Sequence, residues 1–158
     1  MSLSSFIDWC NQLWIGVVIR KSTWLFPIIE TLHLIALTIL LGTVLIVGLR
    51  LFGFILRTHK VSRLTNELAP WTLGAVCTMI VTGILLFVSE PVKCYNNPPF
   101  RIKMVFLLLA ITYHFTAYRK LTRSVPERWS PAVEKFAAAL SLILWFGVGL
   151  AGRAIGFY

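Results

Sequence analysis

"PIIETLHLIALTILLG" (residues 27–42) lies inside an apolar run long enough to cross a bilayer, for which about 20 mostly apolar residues suffice. Within it stand a carboxylate, Glu30, and three residues later an imidazole, His33. That spacing puts both on one side of a helix. Ionisable groups inside a span are costly and mark function by default. The stretch therefore sets the fold class and also locates the first candidate chemistry.

Three further segments have the same apolar character. The first span runs from about residue 24 to 49, with a continuation toward 56 beyond Arg50. The others cover about 69–89, 100–118 and 132–156, the last opened by Ser130 as cap and Pro131 at the first helical position. "EPVKCYNNPPF" (90–100) reads as a turn. The 158 residues are 58% hydrophobic and 13% charged, with mean hydropathy +0.81; a soluble domain would carry roughly a quarter charged residues. The expectation is a single all-α integral membrane domain over 1–158, a four-transmembrane-helix bundle.

The net charge of +9 does not indicate nucleic-acid binding, because the basic residues flank the apolar segments and line no single face. They instead set an orientation. Arg50, Arg57, Lys60 and Arg63 stand at one inter-span loop, and Arg119, Lys120, Arg123, Arg128 and Lys135 at the other on that side. Arg20, Lys21, Lys93, Arg101, Lys103 and Arg153 stand opposite. Nine against six places both basic loops in the cytoplasm and both termini outside, in a bacterial inner membrane.

Residues 4–20 are of another kind. Phe6, Trp9, Cys10, Leu13, Trp14 and Val17 recur at helical spacing after a Ser5/Asp8 start. The pattern predicts one amphipathic interfacial helix anchored by tryptophans, with docking to a partner or a second copy as the alternative. The segment lacks the basic start of a signal peptide. Cys10 and Cys94 fall on the same side and are candidates for a disulfide, Cys77 reads as a small core residue, and no CxxC spacing occurs.

His33 is the leading candidate for axial ligation of a haem b, since imidazole is a common ligand and helix bundles are frequent haem hosts. Glu30 is placed to orient it or to pair with Arg153, which falls at similar depth near the end of the fourth span. His114 is the second candidate ligand, but its depth differs from that of His33 by roughly 9 Å at 1.5 Å per residue. Lys103 and Met104 are alternative sixth ligands, and His59 belongs to a solvated loop. Gly147, Gly149, Gly152 and Gly156 allow close helix approach or room for a macrocycle or quinone ring.

"STWLFPIIETLHLIALTILLGTVLIVGLRLFG" (22–53) resembles the first span of a group of uncharacterised small four-span bacterial membrane proteins with a Ser-x-Trp-x-x-Pro-x-x-Glu-x-x-His signature. Ser22, Trp24, Pro27, Glu30, His33 and Leu49-Arg50-Leu51 carry the match. "PFRIKM" (99–104) and "GRAIGFY" (152–158) are similar to that group's third span and C-terminal end, while Gly48 stands where an aspartate is expected. The layout more distantly resembles the membrane protoporphyrinogen oxidases of the J type and the copper-resistance D proteins, which implies porphyrin or metal binding. The functions left open are electron transfer between the quinone pool and an outer-side redox partner, a non-redox accessory or oligomeric subunit, and a porphyrinogen oxidase.

Overall fold

A computed structural model describes residues 3–56, 58–123 and 130–157; Arg57, Arg128 and Tyr158 lie outside the described residues. Every regular element among them is helical. Four helices are long and apolar enough to cross a membrane, Leu25–Phe52, Val61–Ser89, Pro98–Thr122 and Pro131–Phe157. The protein is a multi-pass membrane protein.

The N-terminal segment forms two helices where its periodicity predicts one: α1 (Leu3–Gln12) and α2 (Trp14–Lys21). The chain breaks at Leu13, whose backbone is extended (φ −60°, ψ 128°). Ile7, Cys10, Gly16 and Ile19 turn inward, while Trp9 and Trp14 remain exposed. Gly16 permits the closest approach: a Cβ there would lie 2.3 Å from the carbonyl oxygen of Val88.

The first span, α3 (Leu25–Phe52), starts where Ser22 Oγ accepts the amide of Leu25 at 3.1 Å, and Pro27 sits in its first turn, a position proline tolerates. It stops at Gly53, whose left-handed backbone (φ 82°) closes a Schellman turn through Gly53 N to Arg50 O and Phe54 N to Leu49 O, both 3.0 Å. Arg50 Nε donates to His59 O at 2.8 Å and so holds the following loop.

The second span, α4 (Val61–Ser89), begins eight residues before the apolar run, carried outward by an exposed Arg63–Glu67 pair one turn apart at 2.9 Å. The expected plain turn at 90–100 contains a short helix, α5 (Pro91–Asn96). Asn97 then caps the third span, accepting the amide of Phe100 at 3.3 Å and donating to Ile155 O at 3.2 Å. That span is α6 (Pro98–Tyr113), a π-helical turn over His114–Tyr118, and α7 (Arg119–Arg123). The fourth, α8 (Pro131–Ala154), opens as predicted, with Ser130 Oγ accepting from Val133.

Helix α3 packs on α4 and α8, and α6 packs on α8. The core between them is Ala36, Leu40 and Val44, Ala75, Val76 and Met79, Ala110, and Leu144, Trp145 and Val148. On the α6–α8 contact, a Cβ at Gly147 would lie 2.6 Å from the ring of Phe106, so Gly147 serves close packing, whereas a Cβ at Gly149 or Gly152 would make only ordinary contacts at 3.5 and 3.6 Å. Helices α4 and α6 do not pack along their length. Their seam closes at one end by the stacked rings of Phe87 and Phe100, 5.7 Å apart, and at the other where α7 meets α4.

Candidate functional site

The open α4–α6 seam holds two cavities, one above the other. The first, of about 430 Å³, is lined by His33 and Leu40 of α3, Met79, Gly83 and Phe87 of α4, Phe100, Lys103 and Met104 of α6, and Trp145 of α8. This is within the ordinary size range of ligand pockets.

His33 is 8% exposed. Its Nδ1 meets Thr82 Oγ1 at 2.8 Å across the α3–α4 contact. The Thr82 hydroxyl has one proton, and it goes to the carbonyl of Thr78 at 2.6 Å. The oxygen must therefore accept from His33, which places the imidazole proton on Nδ1 and the lone pair on Nε2. Nε2 is buried and has no hydrogen-bond partner. Gly83 lies against the same ring, since a Cβ there would sit 3.4 Å from His33 Cε1. Lys103 runs along α8, its Nζ 3.6 Å from where a Cβ of Gly152 would be.

The structure thus gathers His33, Lys103 and Met104 in one place and excludes the other candidates from it. Glu30 is exposed, and no ion pair joins it to Arg153 among the described residues. Three residues turn a helix by 300°, so Glu30 is offset by 60° from His33, away from the buried row of His33, Ala36 and Leu40. Arg153 is also exposed, with its guanidinium 5.1 Å above the Phe157 ring. Thr82 stands where Glu30 was expected beside His33, and Lys103 rather than Arg153 brings a cation to the cavity wall.

His114 lines the second cavity, of about 290 Å³, with Thr43, Thr65, Thr72, Tyr118 and Arg119. This cavity meets α3 at Thr43–Val47, at least ten residues beyond His33, or about 15 Å along the helix. The two histidines therefore do not share a site. Trp145 stands between them: it lines the first cavity and takes the His114 ring edge-on at 6.1 Å.

Cys10 and Cys94 are free thiols on the packed α1 and α5. Cys77 is exposed on α4 and is not a core residue. His59 is exposed, as its loop position implies.

Thr82, Gly83 and Trp145 are the site residues that sequence reasoning passed over. Thr82-Gly83 is the one visible trace, a hydroxyl and a missing side chain together in an apolar run.

No curated protein and no solved structure matches the chain. A family profile does, over residues 6–158, and on that match the chain belongs to DUF6644, a family of unknown function.

Proposed function

We propose that the protein holds one b-type haem in the first cavity and passes electrons between the quinone pool and a redox partner outside a bacterial inner membrane. The observation that carries this reading is the state of His33: Nδ1–H is given to Thr82, and Nε2 is left buried with a free lone pair. Ligating histidines commonly have their other nitrogen fixed in this way. Among the described residues no three His, Cys, Asp or Glu side chains gather to hold a bare metal ion. A single imidazole suits a group that brings its own equatorial ligands, as a haem does.

When bound, haem supplies reversible one-electron exchange at its iron. The chain does the rest. Thr82 fixes the imidazole plane, and Gly83 leaves space beside it. Lys103 and Met104 line the same cavity, where Lys103 would hold a propionate by its ammonium and Met104 would be available as a thioether ligand. Phe87, Phe100, Leu107 and Trp145 line the cavity and would give a bound haem an apolar surrounding, which is one means of tuning its potential. The basic excess at the Arg50–Arg63 and Arg119–Lys135 loops directs those loops to the cytoplasm. The His33 end then faces outward, on the side of the redox partner.

The test is the visible spectrum of the detergent-purified full chain, with and without dithionite, after haem-replete expression. The expected result is a Soret band with sharpened α and β bands on reduction, lost in His33→Ala and kept in His114→Ala. A wild-type protein without haem would reduce the His33–Thr82 contact to a tie between α3 and α4 and would favour an accessory subunit.

A further inference from the structure

The second cavity, like the first, is lined by unspent polar groups, and here three of them come together. Tyr118 is 2% exposed, yet its hydroxyl has no partner. Thr65 Oγ1 and His114 Nδ1 are likewise buried and unpartnered. Their neighbours are satisfied: Thr43 donates to Leu40 O at 2.9 Å, Thr72 to Thr43 at 3.1 Å, Thr122 to Tyr118 O at 3.0 Å, and Tyr113 to Ala137 O at 3.0 Å. Three unpaired groups on one small cavity are costly unless something there completes their hydrogen bonds.

The backbone points to the same place. The π-helical turn of the third span supplies His114, Phe115 and Tyr118 to this cavity, and such turns are frequent at functional sites. Pro70, inside α4, lines the opposite wall and removes one helical hydrogen bond. The π-helical turn and the proline of α4 thus line one space, and membrane proteins tolerate irregular backbone where it lines a cavity.

The lining also narrows the chemistry of the occupant. Among the described residues no acidic side chain lines the cavity, and Arg119 is its one charged group. The hydroxyls therefore suit a ligand that accepts hydrogen bonds. Pro70, Leu73 and Phe115 border the cavity and are exposed on the apolar surface of the bundle, so the ligand arrives from the bilayer with an apolar part. A phosphodiester would carry a full negative charge in among the buried hydroxyls and pay its desolvation there. A neutral ring with carbonyl oxygens avoids that penalty.

We propose that the second cavity binds the head group of a membrane quinone, with the hydroxyls of Tyr118 and Thr65 and the Nδ1 of His114 meeting its carbonyl oxygens. This deepens the electron-transfer reading by giving the quinone a place on the far side of Trp145 from His33. The binding itself needs no haem.

The test is titration calorimetry of the full-length protein in detergent with decylubiquinone, a short-chain benzoquinone. The expected result is one saturable site whose affinity falls at least tenfold in Tyr118→Phe and again in Tyr118→Phe/Thr65→Val. Both variants should keep the wild-type Tm, because neither hydroxyl has a partner to lose. His33→Ala should bind the quinone as the wild type does, so failure of the haem reading is seen separately. Absence of saturable binding, or unchanged affinity in the folded double variant, would overturn the proposal. So would binding of phosphatidylglycerol in mixed micelles that depends on Arg119 while the quinone does not bind.

Discussion

His33 Nδ1 and Thr82 Oγ1 meet at 2.8 Å across the α3–α4 contact, and the second bond of that hydroxyl, to Thr78 O, decides which imidazole nitrogen keeps its lone pair. Replacing Thr82 by valine keeps the shape and removes the acceptor. The Nδ1–H is then buried without a partner, which costs about 1–3 kcal/mol. Thr82→Val should lower Tm in detergent. It should also loosen the imidazole, so that haem is lost faster to an apo-haem scavenger than from the wild type. Thr82→Ser, which restores the oxygen, should recover both. Equal haem loss in Thr82→Val and wild type would remove Thr82 from the site.

Gly83 makes room for the His33 ring rather than for a turn. Elsewhere in a helix, replacing glycine gains up to about 1 kcal/mol. At 83 a Cβ would already touch His33 Cε1 at 3.4 Å, so the further carbons of a branched side chain compete with the imidazole or with its ligand for the cavity. Gly83→Leu should lose most of its haem while remaining folded. Gly42→Leu is the control, because nothing lies within 4 Å of a Cβ there, and it should keep full occupancy. Haem per protein, measured as the pyridine haemochrome, distinguishes the two.

The spans were legible because length and hydropathy alone set them, and His33 was legible as an imidazole with no business in lipid. Their edges were not. α4 starts at Val61 because the Arg63–Glu67 pair continues the helix past its apolar run, which hydropathy cannot register. The partner of His33 was hidden because threonine is at home in a span, where it bonds its own helix, as Thr31, Thr38 and Thr78 do. Only the α3–α4 packing singles out Thr82. Lys103 read both as a flanking charge and as an alternative sixth ligand, and the open seam beside α4 makes its position near the start of α6 a cavity wall. Glu30 misled for a geometric reason, since it lies 60° to the side of His33 away from Ala36 and Leu40, which continue the buried row.

Glu30 and Arg153 are the sharpest departure from the sequence expectation, and their independence is measurable. Both are exposed, and Arg153 spends its guanidinium on Phe157. Unpaired surface groups of this kind usually change stability by less than about 0.5 kcal/mol. Glu30→Gln should leave Tm and haem content as in the wild type. Arg153→Ala should cost no more than its contact with Phe157. In a double-mutant cycle the coupling between the two should fall within about 0.5 kcal/mol of zero. A larger coupling would restore the ion pair that the structure does not form.

Cys94 offers a pH-dependent probe of the end of the bundle where α1 meets α5. Its thiol is raised above the ordinary range, first by burial and second by the carboxylate of Glu90, against an opposing pull from Lys103 and Lys93. The thiolate is the reactive form, so alkylation by N-ethylmaleimide should be slow near neutral pH. Its rate should rise with a midpoint above the value of about 8.5 for a free cysteine. The measurement uses a Cys10→Ala/Cys77→Ala background, which leaves one thiol. Glu90→Gln removes the second cause of the rise and also frees Lys93 from its 3.4 Å pair with Glu90. Both changes favour the thiolate, so the midpoint should move down and labelling at neutral pH should quicken. A wild-type midpoint at or below that of free cysteine would mean that Cys94 is open to water and that α1 does not cover α5 as described. An upward move in Glu90→Gln would show that the carboxylate does not act on the thiol.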